Sequence, residues 1–174
     1  MSALVIYESV YGNTHAVAEA LAEGLGDAEV LPVHEATSQV KETDLLVVGG
    51  PTHMHGMATS RSRQAGAQSE GAAHVEPDAT DEPGLRDWLR DLREGDGAKA
   101  AAFDTRLDKS AWLTGAAAHG IARRLSHLGY DVVASESFLV ESSEGPLSEG
   151  ELARAKGWGR ELATRLPAAA GRGG

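Results

Sequence analysis

Six residues near the start of the chain, Ser9-Val10-Tyr11-Gly12-Asn13-Thr14, gather two hydroxyl side chains, an amide and a glycine into one short polar loop. That set is suited to holding an anion. Hydroxyl and amide hydrogens donate to phosphate oxygens, and a glycine lets the backbone approach closely. The loop stands between an apolar run, Ala3 to Tyr7, and a helical pattern that begins near Thr14. A strand turning directly into a helix aims unpaired N–H groups and the positive dipole end at the loop, so a phosphate can be held without a basic side chain. Neither the Gly-Lys-Ser/Thr of a Walker loop nor the Gly-x-Gly-x-x-Gly of a dinucleotide site is present. An ordinary capped strand-to-helix turn is the other reading of these six residues.

Other chemistries lack parts. Without cysteine there is no thiolate nucleophile, no disulfide and no cysteine-bound zinc. His53 and His55 stand two residues apart with no third ligand nearby, so no metal is expected. Ser9 lacks the Gly-x-Ser-x-Gly elbow and an identifiable base, so no catalytic residue is assigned.

The elements that must position the loop follow from periodicity. Ala3 to Tyr7 is continuously apolar, as for a central parallel strand covered on both faces. Val17, Leu21 and Leu25 recur at helical spacing, with Gly24 and Gly26 as the stop. Glu29 to Val33 reads as an edge strand because Pro32 cannot donate to a ladder. Ser38 to Thr43 has room for no more than a brief helical turn. Asp44 to Gly50 is a second buried strand, whose glycines release the chain into a loop, Pro51-Thr52-His53-Met54-His55-Gly56-Met57.

Beyond that loop, residues from about 58 to 83 are rich in Ser, Ala, Gly, Gln and acidic side chains and read as a long surface loop, with Arg61 and Arg63 solvated or reaching a phosphate. Leu85, Trp88, Leu89 and Leu92 predict a helix closed by Gly95 and Gly97. Lys99 to Phe103 reads as a strand leading into Asp104-Thr105, and a helix follows from Gly115 through Leu128 with Thr114 as N-cap. Val132 to Ala134 and Ser137 to Val140 form one interrupted strand. Ser148-x-x-Glu151 is a capping box opening a helix with Leu152, Ala155, Trp158 or Gly159, and Leu162 inward.

Strands alternating with helices imply an α/β fold, a doubly wound five-stranded parallel sheet with helices on both faces. The order 2-1-3-4-5 puts the first and third strands side by side, so the loops at Ser9 and Pro51 meet at the topological switch point. One domain is expected over 1–166, followed by a frayed tail over 167–174.

The loop Ser9 to Thr14 resembles the Ser/Thr-x-Thr-Gly-x-Thr of the flavodoxin family, with Tyr11 where that family usually carries Thr. The resemblance extends to the strand order and to a glycine-bearing loop after the third strand. It implies FMN as cofactor, with its phosphate on Ser9, Val10, Tyr11, Gly12, Asn13 and Thr14. It implies an isoalloxazine ring flanked by Pro51, Thr52, His53, Met54, His55 and Gly56 on one side and by Asp104, Thr105 and Trp112 on the other. Trp112 is the candidate for one ring face, while histidine and methionine replace the family's aromatic residue on the other. Gly56 is the position that tolerates the peptide rearrangement accompanying flavin reduction in the family. The implied function is electron transfer between redox proteins. An NAD(P)H-dependent quinone or nitro-compound reductase of the same fold and a flavin-free binding module stay open.

The formal charge of -10 over 174 residues opposes binding to nucleic acid or an anionic membrane and either favours a basic partner or serves to keep the chain soluble; with the resemblance, the implied partner is a redox protein with a basic patch. No apolar run approaches the roughly 20 residues of a membrane helix, and a cytoplasmic location is expected.

Overall fold

The computed structural model describes residues 2–26, 28–40, 43–53, 56–57, 84–108 and 116–166. Met54, His55, Arg61, Arg63, Trp112, Thr114, the stretch 58–83 and the tail 167–174 lie outside them. In chain order the elements are β1 (Ala3–Tyr7), α1 (Asn13–Leu25), β2 (Glu29–Pro32), β3 (Leu45–His53), β4 (Gly56–Met57), α2 (Leu85–Asp91), β5 (Lys99–Leu107), α3 (Ala117–His127), β6 (Asp131–Val140) and α4 (Glu151–Thr164). The sheet runs β2-β1-β3-β5-β6 with parallel neighbours throughout. Set aside the two-residue β4, which pairs antiparallel with the end of β3, and this is the expected 2-1-3-4-5 order.

Burial on both faces explains why β1 is apolar at every position. Val5 and Tyr7 pack with Val17, Leu21, Trp158 and Leu162 beneath α1 and α4, whereas Leu4 and Ile6 pack with Leu85, Leu89, Ile121 and Leu125 beneath α2 and α3. On the first face Phe138 meets both Phe103 and Trp158 edge to face, at ring centroid distances of 6.3 and 6.0 Å. Among the described residues no helix is long and apolar enough to cross a membrane.

The glycines do different work from that expected. Gly49 and Gly50 lie inside β3, which continues through His53 instead of ending at them. A Cβ on Gly49 would overlap the Phe103 ring, and one on Gly50 would come within 2.8 Å of Leu85 Cδ2, so large core side chains occupy the space these glycines leave. Gly24 does not stop α1 either. It meets Gly159 of α4 backbone to backbone, where a Cβ on Gly24 would overlap Lys156 O and stand 3.0 Å from Gly159 Cα. The left-handed Gly26, at φ 92°, ends the helix.

Other expectations are corrected by competing hydrogen bonds. The described residues of the Ser38 to Thr43 stretch hold no helix. Its surroundings are tied to α2 instead, with Trp88 Nε1 donating to Ala36 O at 3.1 Å and Arg93 N–H donating to Ser38 O at 3.2 Å. Helix α2 ends at Asp91, ahead of Gly95 and Gly97, because Leu92 is already extended at ψ 132°. Strand β6 is continuous, the apparent interruption being a bulge at which Val133 is skipped between the pairs Ala100–Val132 and Ala101–Ala134.

The capping box does not form. Gly150 at φ 83° is the N-cap of α4, and the Glu151 carboxylate turns to strand β6, accepting Leu139 N–H at 2.7 Å and the Arg154 guanidinium at 2.7 Å. Arg154 also donates to Ser137 O, pairs with Glu136 at 3.3 Å and lies 4.5 Å over the Phe138 ring. Edge groups of β6 are thereby covered by side chains, which blocks pairing with another chain. Leu152, expected inward, is 46% exposed, while its neighbour Glu151 takes the buried position.

Burial pushes the Glu151 carboxyl up, but the Arg154 hydrogen bond, the Leu139 N–H and the Arg154 charge outweigh it and hold it below the ordinary value of 4.5. A depressed folded pKa adds stability above the unfolded value, and that stability is lost as pH falls through the folded one. Glu151→Gln is expected to cost about 2 kcal/mol at neutral pH, a charge-assisted hydrogen bond's worth. In urea titrations the gap to the parent closes as pH falls below the ordinary glutamate range; a gap independent of pH contradicts the assignment.

Candidate functional site

The parallel sheet brings the C-terminal ends of β1, β3 and β5 together, since Tyr7 pairs with Gly49, Gly50 with Asp104, and Pro51 with Thr105. The loop leaving β1 therefore meets residues of both neighbouring strands. Gly12, at φ 82°, is the N-cap of α1, a left-handed conformation that a side chain would strain. The first intrahelical bond runs from Ala16 N–H to Gly12 O at 3.0 Å, no side chain caps the helix, and its first turn holds no acidic residue.

The other three helices start differently. Ala117 N–H of α3 donates to Thr52 Oγ1 and Ala118 N–H to Asp104 Oδ2, both at 2.9 Å, so strands β3 and β5 supply the cap that the sequence suggested for Thr114. Thr52 in turn donates to Asp104 Oδ2 at 2.9 Å. Helix α2 begins with Leu85 N–H directed to Glu8 Oε1 at 3.4 Å, and α4 carries Glu151 in its first turn. Helix α1 differs from α2 and α4 in having no acidic residue in its first turn.

Around that end the loop's side chains are partly committed to one another. Ser9 Oγ, 6% exposed, accepts Gly12 N–H at 3.0 Å, which leaves its own hydrogen to donate. Thr14 Oγ1 and Thr105 Oγ1 are 2.8 Å apart and buried. Asn13 donates its amide to Glu144 O at 3.1 Å, tying the loop to the connection between β6 and α4. Val10 is 1% exposed and packs inward, so its backbone alone is left for a ligand, while Tyr11 is half-buried. Hydroxyl and amide donors with no acidic residue in the helix's first turn suit a phosphate monoester, so the residues present fit the phosphate end of FMN.

On the ring side the expected residues divide. Pro51 is half-buried beside Thr105, and His53 pairs with Gly56 across the β3–β4 ladder. Met57 O accepts both Nε and Nη2 of Arg86, at 3.1 and 3.0 Å, which fastens β4 to α2. Thr52 and Asp104, named as ligand residues from sequence, direct their side chains to α3; Asp104 is fully buried, and its Oδ1 has no partner among the described residues. Met54, His55 and Trp112 lie outside the described residues. Sequence reading missed Arg86, Glu144 and the capping role of Thr52 and Asp104, and no local signal marks them because each partner is distant along the chain.

Comparison with known proteins agrees with this geometry. Residues 4–62 match the family model described as the flavodoxin domain. A flavodoxin from the domain Archaea superposes with a TM-score of 0.60 at 21% identity, covering 95% of this chain and 98% of its own. A WrbA-like flavodoxin from Agrobacterium tumefaciens gives 0.57 at 20% identity, covering 94% and 96%. Oxidised flavodoxin 2 from Bacillus cereus gives 0.62 at 16% identity, covering 95% and 100%. Among curated protein sequences there is no match. The fold is flavodoxin-like.

If the Thr52 hydroxyl caps α3, Thr52→Val is expected to lower stability by about 1 to 2 kcal/mol, the usual loss on removing a cap. Amide hydrogen exchange at Ala117 and Ala118 rises with it. Unchanged exchange at these two amides contradicts the cap.

Proposed function

We propose that this flavodoxin-like chain binds FMN at the loop Ser9 to Thr14 and carries electrons between redox proteins. The observation that carries the reading is the uncapped start of α1, where backbone N–H groups, the Ser9 hydroxyl and the helix dipole converge on one point with no acidic side chain in the first turn. The match of residues 4–62 to the flavodoxin-domain model supports it, since that span contains both this loop and the end of β3.

When bound, the flavin ring supplies the redox chemistry, and the protein sets its potential by position, hydrogen bonding and local charge. Residues of this chain then have distinct tasks. Asn13 and Thr14 present backbone N–H groups to the phosphate, and Ser9, which accepts the Gly12 N–H, donates its hydroxyl. Thr52 and Asp104 hold the end of β3 against the start of α3, which fixes the backbone from which the Met54 to Gly56 segment departs. The formal charge of -10 opposes gain of negative charge at the ring and suits a docking partner with a basic patch.

The purified chain is expected to bind FMN stoichiometrically, with quenching of flavin fluorescence on titration. No quenching at micromolar FMN contradicts the reading and favours a binding module without flavin. Steady NAD(P)H oxidation by the FMN-loaded protein with a quinone, in the absence of a partner, would instead assign a reductase.

For the partner, the stopped-flow rate of electron transfer from a reductase is expected to fall as salt rises, because the Debye length shrinks from about 30 Å at 0.01 M to about 10 Å at 0.1 M. A rate that stays flat or rises removes charge from the docking.

A further inference from the structure

The hydroxyls of Thr14 and Thr105 lie 2.8 Å apart, in side chains 2% and 5% exposed. They come from different parts of the sheet: Thr14 sits in the first turn of α1, and Thr105 near the end of β5, which lies beyond β3 as counted from β1. Two hydroxyls carry two hydrogens between them, and their shared bond uses one. Among the described residues the second hydrogen has no acceptor. Each hydroxyl thus has one partner, and the second hydrogen is left for an acceptor outside the described residues.

The direction of the shared bond decides where that hydrogen goes. If Thr14 donates to Thr105, a Thr14 lone pair is left facing the helix start, which repels an anion. If Thr105 donates to Thr14, the Thr14 hydrogen is left for the anion, and a hydroxyl that accepts one hydrogen bond becomes a stronger donor in the next. An anion at the start of α1 therefore selects the second arrangement.

We infer that Thr105 is a positioning residue for the phosphate: its hydroxyl donates to Thr14 Oγ1 and thereby presents the Thr14 hydrogen to a phosphate monoester held at the N-terminus of α1. The identity of the ligand as FMN rests on the function proposed above; the role of the pair toward phosphate does not. The Thr105 backbone is held by its pairing with Pro51 on one side and Phe138 on the other, which keeps its side chain beside Thr14.

The test compares two ligands that differ only in the phosphate. Thr105→Val keeps the branched shape and removes the hydroxyl. Its dissociation constant for FMN is expected to rise by up to about tenfold, the net worth of the neutral hydrogen bond that sets the Thr14 hydroxyl. Riboflavin, which lacks the phosphate, is expected to change by less than about twofold, and Thr105→Ser is expected to bring FMN binding back to within about threefold of the parent. FMN binding unchanged in Thr105→Val, or FMN and riboflavin weakened equally, overturns the inference, the second because it marks general damage to the fold. If the parent binds neither flavin, the FMN reading fails on its own, and inorganic phosphate becomes the probe. A rise in melting temperature with phosphate that is lost in Thr105→Val then supports the role; an equal rise in both proteins, or none in the parent, overturns it.

Discussion

A helix that begins without a cap leaves backbone N–H groups unpaired, and a folded protein tolerates that only where solvent or a ligand can accept them. Helix α1 is in this position. The chain has the means to cap helices from a distance, since Thr52 and Asp104 do so for α3, and Glu8 accepts the Leu85 N–H of α2. At α1 it places Gly12 instead, which has no side chain to cap the helix, and no acid in the first turn. The functional reading depends on that local difference, because a carboxylate at the same point would both satisfy the amides and repel a phosphate.

Packing fixes where this open end points. Tyr7, the last residue of β1, stacks its ring on His15 at 4.7 Å, so the strand end and the first turn of α1 are held together just beyond the loop. At the other end of the helix, Gly24 lets α1 and α4 touch backbone to backbone, and Lys156 reaches Glu23 at 2.7 Å across the crossing. Within the sheet, Gly49 admits the Phe103 ring, which keeps β3 and β5 in the register that brings Thr105 next to Thr14. The loop is thus held by contacts on α1, β5 and, through Asn13, the connection after β6.

Much of this was legible in the sequence where the signal is periodic. The continuous apolar run of β1, the spacing of Val17, Leu21 and Leu25, and the edge position implied by Pro32 each report burial directly, so the strand order followed from them. Glycine was read less well. Gly49 and Gly24 look like breakers along the chain, yet both are there because a distant group, the Phe103 ring or the α4 backbone, fills the space of a missing Cβ. Ser148-x-x-Glu151 fits a capping box locally, but Arg154 and the Leu139 amide compete for the carboxylate and win. The site divides the same way: the anion loop is contiguous and could be read, whereas Thr52 and Asp104 depend on the start of α3, 65 and 14 residues further on. Hydrogen bonds between strands and remote helix ends leave no local pattern.

The central claim, that the start of α1 is the phosphate site, is tested most directly by following backbone amide resonances during titration with FMN. The account predicts that Asn13 and Thr14 shift first and furthest, in the downfield direction of amides donating to an anion, while Ala117 and Ala118, already bonded to Thr52 and Asp104, stay in place. Large shifts at Ala117 and Ala118 with none at Asn13 and Thr14 would contradict it and move the ligand to the other helix.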